Sequence, residues 1–402
     1  MNSVVENKLP IDWSIKQIGQ VGDIVTGNTP SKKNSDYWSE KSEYMFVKPP
    51  NLGTGNIVLS TNEMLTKEGF EKAKPIAKNS IMICCIGSLG KIGIAGKELA
   101  TNQQINSILF YKEIVEFKFG YYFALTLKSH MHKIANKAIV QIINKTSFSK
   151  IEIPIPPLEE QKRIVAKIDG LFAEIDKAIS LTEESLVQAK NLLPSVLKEL
   201  FEKGKADGWE EKKLGEVIEK TKNVNPKTSS FDEFTYIDIS AVDKSLQEIV
   251  LPKTVKSIGA PSRAKKSIEL DDILFATTRP NLKNIAIVSV LYEFPIASTG
   301  FCVVRSNSET HNRYLFYYLI SDLLQEQIEP YIRGAQYPAI SDKDLKSVLI
   351  PVPNLKEQIQ LSELFDKISE ESKKTQSKLE EQLAYLKQLK SSILTKAFKG
   401  EL

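Results

Sequence analysis

Along two stretches of the chain the apolar residues recur at helical intervals. After Leu158 they fall at Ile164, Ile168, Leu171, Ile175, Ile179, Leu186, Ala189, Leu193, Val196 and Leu200. After Leu355 they fall at Ile359, Leu364, Ile368, Leu379, Leu383, Leu386, Leu389, Ile393 and Ala397. Spacings of three, four and seven predict two amphipathic helices with a coiled-coil seam, over 158–205 and 355–402. The phase shifts after Ile179 as in a stutter, and residues 369–378 are polar. Pro156, Pro157 and Pro353 suit helix starts, Gly204 and Gly400 suit stops, and Pro194 should interrupt and kink the first helix. Helices of roughly 45 residues span about 65–70 Å. An apolar stripe of that length needs a cover. The matched length and phase predict that the two helices pack on each other, antiparallel, with the globular parts at opposite ends.

Between the helices the texture differs. Short β-branched runs at 81–86, 105–111, 235–239 and 285–290 are bounded by turn formers and predict strands. Helix-like stretches at 120–135 and 313–329 carry the aromatic clusters Tyr121, Tyr122, Phe123 and Tyr314, Phe316, Tyr317, Tyr318. At helical spacing such clusters are expected in the core. The mixture predicts α+β domains.

The chain is also one unit written twice. The segment 12–21, with Trp13, Ile18 and Gly19, returns at 208–217 with Trp209, Leu214 and Gly215. The segment 153–161, Ile-Pro-Ile-Pro-Pro-Leu-Glu-Glu-Gln, returns at 350–358 as Ile-Pro-Val-Pro-Asn-Leu-Lys-Glu-Gln. Ser195, Leu197 and Phe201 return as Ser392, Leu394 and Phe398. Three pairs in one order predict a pseudo-twofold repeat. The division is 1–157, a first globular domain; 158–205, a long helix; 206–354, a second globular domain; and 355–402, a second long helix.

Charge changes this picture only slightly. The chain carries 54 Lys+Arg against 50 Asp+Glu. The two helical segments hold 17 of each sign, so the excess, 37 against 33, lies in the globular parts. A mild basic bias there permits nucleic-acid binding. Cys84, Cys85 and Cys302 form no CxxC pair, so neither a disulfide framework nor a zinc site is expected. Residues 1–10 lack a basic-then-apolar leader, and the longest apolar run, 81–87, reads as a buried strand. A cytoplasmic setting is the expectation.

Catalytic patterns are missing. Gly87-Ser-Leu-Gly90-Lys91 is too short for a phosphate loop, and no GxGxxG lies at a strand-helix junction. The Asn-Pro-Pro-aromatic motif of adenine methylation is absent; Lys48-Pro49-Pro50-Asn51 only looks like it. His130 and His132 point to different helix faces, and His311 stands alone. Neither a metal nor a catalytic site is expected; the chain reads as a binding protein.

Paired, dissimilar units, each led by a Trp-x4-Leu/Ile-Gly segment and closed by Pro-x-Pro-x-Leu-x-Glu-Gln, resemble the specificity subunits of type I restriction-modification systems. Gly27-Asn28-Thr29-Pro30-Ser31, followed by Tyr37-Trp38, strengthens the resemblance, which covers nearly all of 12–402. It implies a non-catalytic subunit whose domains each read one half of an asymmetric, split target in double-stranded DNA. The helices would act as a ruler and dock two methyltransferase subunits carrying AdoMet. Restriction-translocase subunits would bring ATP- and magnesium-dependent cleavage. The segments carrying Pro154, Pro156, Leu158 and Gln161, and Pro351, Pro353, Leu355 and Gln358, would form the helix starts and docking sites.

Base edges are read by Arg, Lys, Asn and Gln, and phosphates are held by cations and small polar donors. Loops rich in these supply the candidates. In the first domain they are Ser31, Lys32, Lys33, Asn34, Lys91, Gln103 and Gln104. In the second they are Arg263, Lys265, Arg279, Asn281, Lys283, Arg333, Gln336 and Tyr337. Arg279 and Gln336 are favoured because turns containing Gly or Pro suit bidentate contacts. The rival reading is a duplicated coiled-coil adaptor that binds only proteins.

Overall fold

The structure is a computed structural model that describes residues 9–135 and 142–402. Residues 1–8, which carry most of the segment searched for a leader, lie outside the described residues. Two compact units emerge. One joins 1–182 to the final stretch 382–402; the other is the continuous run 183–381.

In the first unit, a mixed sheet orders its strands Gly22–Thr26, Ile105–Phe110, Ile81–Cys84, Ile92–Ala95 and Thr54–Val58. Only the last pair is parallel. A second sheet contains Tyr44–Val47 running parallel to Ala100–Thr101. The strands at 81–84 and 92–95 are buried throughout, which is why they read as continuous apolar runs. In the second unit the same core pairs return. Ile273–Ala276 lies antiparallel between Ile285–Ile287 and Phe301–Val304, and Glu233–Ile237 runs parallel to Ile296–Ser298.

Each domain is tied off identically. Ser14–Gln17 pairs antiparallel with Glu152–Ile155, and Glu210–Lys213 with Leu349–Val352. The backbone N–H of Ile18 then donates to Ile151 O at 2.8 Å, and that of Leu214 to Val348 O at 2.9 Å. The Trp-x4-Leu/Ile-Gly and Pro-x-Pro segments are therefore the two strands of one closing ribbon, at whose end the long helix starts.

The long helices are Leu158–Ala206 and Leu355–Ala397. Within the first unit, Ile164, Val165 and Ile168 share a core with Leu394, Ala397 and Phe398, and Asp176 receives Lys390. Within the second, Leu197 and Phe201 share a core with Phe365. Pairing a rising index on one helix with a falling index on the other makes the contact antiparallel in both. The polar stretch 369–378 packs through Ser372, whose hydroxyl is buried and donates to Ala189 O at 2.6 Å.

Three local expectations are corrected. Pro194 does not interrupt the first long helix, which continues through it. Gly204 is no helix stop: it lies inside that helix, where the Trp209 ring packs so close that a Cβ would meet it at 2.1 Å, and the left-handed residue just past the helix is Gly208, at φ +91°. The stretch 313–329 is not one helix. It divides into Asn312–Ile320 and Asp322–Ile328, because the Ser321 hydroxyl accepts from Leu324 N and starts a new helix. The aromatic clusters are core, as expected: Tyr122, Phe123, Tyr314, Phe316, Tyr317 and Tyr318 are all buried. Among the described residues no helix is long and apolar enough to cross a membrane, and no acidic, His or Cys cluster could hold a metal.

Candidate nucleic-acid interface

In both domains the hairpin joining the second and third shared strands is the focus. It is 85–91 in the first domain and 277–284 in the second. Each is braced by an isolated bridge to the segment before the closing ribbon, Ile86 to Ile142 and Thr278 to Ala339.

The first domain gathers two loops, 27–34 and 101–104, with this hairpin. Gly27 permits the closest approach: a Cβ there would lie 2.2 Å from Thr101 O. The Thr29 hydroxyl donates to Gln103 Oε1 at 2.6 Å. Asn102 Nδ2 donates to Gln104 Oε1 at 2.8 Å, and Gln104 Nε2 reaches Ile86 O at 3.4 Å. Gln103 is exposed; Gln104 and Lys91 are half-buried. Ser31 and Lys33 are exposed, whereas Lys32 sits 5.4 Å above the Trp38 ring and 3.8 Å from Glu63. The Asn34 side chain accepts from Asp36 N at 3.0 Å and caps a local turn.

In the second domain an open cleft of about 990 Å³ is lined by Ser240, Asp243, Lys244, Arg263, Thr278, Arg279, Asn284 and Tyr337. The Arg279 guanidinium lies 5.5 Å from the Tyr337 ring centroid, a cation–π arrangement that presents a planar donor group to the cleft. The structure thus brings Arg263, Arg279 and Tyr337 together. Lys265, Asn281, Arg333 and Gln336 are exposed but do not line the cleft. Lys283, a candidate DNA contact, does not line the cleft: its Nζ donates to Ile320 O at 2.9 Å and to Asp322 at 2.7 Å. Sequence reasoning missed the loop 238–247. Its signal was there in the turn chemistry: the Asp243 carboxylate accepts from Ser245 N and Leu246 N. Lys373 of the second long helix donates to Leu246 O at 3.0 Å and holds that loop.

The Pro-x-Pro-x-Leu-x-Glu-Gln segments lead into the long helices, which start at Leu158 and Leu355, and are packed into their own domains. Pro154, Pro156, Gln161, Pro351, Pro353 and Gln358 are buried inside their own domains, Leu158 is half-buried and Leu355 alone is exposed. Gln161 accepts from Glu116 N at 2.8 Å and donates to Ile114 O and Pro156 O at 2.9 and 2.8 Å. Gln358 does the same with His311 N, Glu309 O and Pro353 O, at 2.9, 2.9 and 2.8 Å. Each glutamine locks a helix start onto its domain.

Two turns further along each long helix stands an aspartate. Asp169 accepts from Lys118 and Tyr122; Asp366 accepts from Arg313 and Tyr317. Burial opposes ionisation of Asp169, but the hydrogen bonds from Lys118 and Tyr122 outweigh it and hold the carboxyl below its ordinary range. Burial, and then the Arg313 cation, hold His311 below its ordinary 6.5. A Gln-x7-Asp pattern answered by Lys/Arg-x3-Tyr is thus duplicated, and sequence reading passed over it.

The family described as the type I restriction modification DNA specificity domain matches residues 10–183 and again 206–384. The type I restriction enzyme MjaIX specificity subunit of Methanocaldococcus jannaschii is 23% identical over 98% of this chain and 94% of its own length. The EcoKI specificity subunit of Escherichia coli K12 is 24% identical over 98% and 90%. Among solved structures, a chain from a type I restriction-modification system studied for complex assembly and conformational transition superposes with a TM-score of 0.76. It is 23% identical, and the match covers 98% of this chain and 100% of that one. The HsdS subunit from Thermoanaerobacter tengcongensis gives 0.61 at 23% identity, covering 99% of each. These two likenesses establish the fold.

Proposed function

Because this chain belongs to the type I restriction-modification DNA specificity family, we propose that its two domains read the unlike halves of one split DNA target. The family is one of DNA specificity, which decides against the protein-only adaptor. The observation that carries the finer reading is the cleft holding Arg263, Arg279 and Tyr337, together with its counterpart, the cluster of polar loops around 85–91 in the first domain. The two sites sit on the same hairpin of the same fold but present different side chains, as two unlike half-sites require.

On this reading the chain is non-catalytic, the long helices set the half-site spacing, and methyltransferase subunits dock along them. Val187, Leu192, Ile359, Leu364 and Tyr385 are exposed apolar side chains on those helices, and they support the docking. AdoMet, ATP and magnesium belong to the partner subunits.

The test is adenine methylation mapped across DNA from cells making variants of the chain. Arg279→Ala should relax one position of one half-site, at about 1–3 kcal/mol for a lost bidentate contact. Adding four residues to both long helices lengthens each by about 6 Å, close to two base-pair steps of roughly 3.4 Å. An unchanged motif with Arg263→Ala, Arg279→Ala and Tyr337→Ala combined would overturn the assignment of the cleft. An unchanged gap in the extended protein would overturn the ruler.

A further inference from the structure

The reading hairpin passes through two left-handed positions in both domains, but the second hairpin is one residue longer and carries different side chains there. In the first domain its two left-handed positions are Gly87 and Gly90, at φ +76° and +74°, where glycine adopts that backbone freely. In the second domain the matching positions are Arg279 and Lys283, at φ +51° and +50°. A side chain at a left-handed position is strained and persists only where its surroundings over-determine it.

The surroundings divide the two side chains. Arg279, Leu282 and Asn284 line the cleft; Lys283 does not, and turns back onto the domain. Its Nζ reaches Ile320 O, the last carbonyl of helix Asn312–Ile320, at 2.9 Å, and the Asp322 carboxylate at 2.7 Å. A cation at a helix C-terminus meets the negative end of the helix dipole as well as its ion-pair partner. The turn itself is closed by Leu282 N to Arg279 O at 2.9 Å and Lys283 N to Pro280 O at 3.0 Å. Arg279 N is held by Pro338 O, which places the guanidinium beside Tyr337.

We propose that Lys283 and Asp322 form a positioning pair that clamps the strained turn and so sets where Arg279 is presented to the DNA. This rests on the reading of the cleft as a DNA site. Asp322 thereby becomes a determinant of sequence preference although it lies outside the cleft.

The experiment uses the complex of this chain with its methyltransferase subunits. Its probes are duplexes carrying the motif methylated in vivo and the same motif with one base changed in either half. Lys283→Met and Asp322→Asn should each lower discrimination in one half-site about tenfold. The slope of log affinity against log salt should stay unchanged, because no phosphate contact is lost. Lys283→Arg, which keeps the cation, should restore most of the discrimination. Unfolding of each variant is followed in parallel, and a merely structural role would lower the midpoint without changing discrimination. That outcome overturns the proposal. So does a Lys283→Met protein that keeps discrimination but loses about one unit of salt slope, since Lys283 would then be a phosphate contact. If Arg279→Ala lowers discrimination and the pair does not, only this inference fails. If Arg279→Ala leaves it intact too, the reading of the cleft fails with it.

Discussion

Phe398, just past the far end of the second long helix, should stabilise the unit built mainly from residues up to 182. Its side chain is 6% exposed, and its ring lies 5.0 Å from Phe119 and 5.4 Å from Phe123, both in the helix Phe117–Ala135. Truncating a buried phenylalanine to alanine costs about 3–5 kcal/mol, from lost transfer energy plus the cavity left behind. Phe398→Ala should therefore destabilise the first unit by that amount and leave the second nearly untouched. The assay is hydrogen exchange resolved by peptide, which reads local opening energies. A loss of 3 kcal/mol corresponds to roughly a hundredfold faster exchange in peptides from 117–131. Phe201→Ala is the mirror experiment. Phe201 lies 5.6 Å from Tyr314, 5.0 Å from Tyr318 and 5.7 Å from Phe365, so protection should fall in 312–328 instead. If Phe398→Ala slowed nothing and sped nothing in 117–131, or if the two variants deprotected the same domain, the exchange of helix ends described here would be wrong.

Other consequences follow from individual side chains. Gln358→Leu strips partners from His311 N, Glu309 O and Pro353 O in a buried site and should cost about 3–5 kcal/mol; the urea midpoint of the second unit measures it. His311 resists protonation in the folded protein, so its effect on stability is absent above pH 6.5. As pH falls through 6.5 the unfolded chain gains a proton that the folded chain does not, and stability drops. His311→Gln should flatten that part of a pH series of denaturation midpoints. Gly27→Ala forces a Cβ against Thr101 O and should pry apart the first domain's loops. The expected result is weaker binding of a motif-bearing duplex, with the second half-site still discriminated normally.

Much of the fold was legible because periodicity and repetition are properties of the chain itself. The seam residues marked the long helices, and three matched segments marked the duplication. What stayed hidden depends on distant neighbours. Gly204 looks like a helix stop until Trp209 is seen folded against it. Lys283 looks like a free surface cation until Asp322, 39 residues away, is seen to hold it. The two glutamines stood out as motif residues, yet only their buried hydrogen bonds separate a structural lock from a docking site. For the cleft, turn chemistry singled out Arg279; the loop 238–247 carries a readable turn at Asp243, but a turn signal does not say which surface the loop faces.

The way the units share the chain has a consequence for how the protein is made. The second unit is continuous, whereas the first needs residues from both ends, as the bond from Arg163 to Leu402 O, spanning 239 positions, illustrates. On the ribosome the first domain's leading part is synthesised early but cannot receive Phe398 until about 220 further residues have been added. At roughly 5–20 residues per second the wait is on the order of 10–45 s. Through that interval Phe119 and Phe123 lack the ring of Phe398 that packs on them while the second unit completes itself. The unit begun first is then completed only after the continuous one.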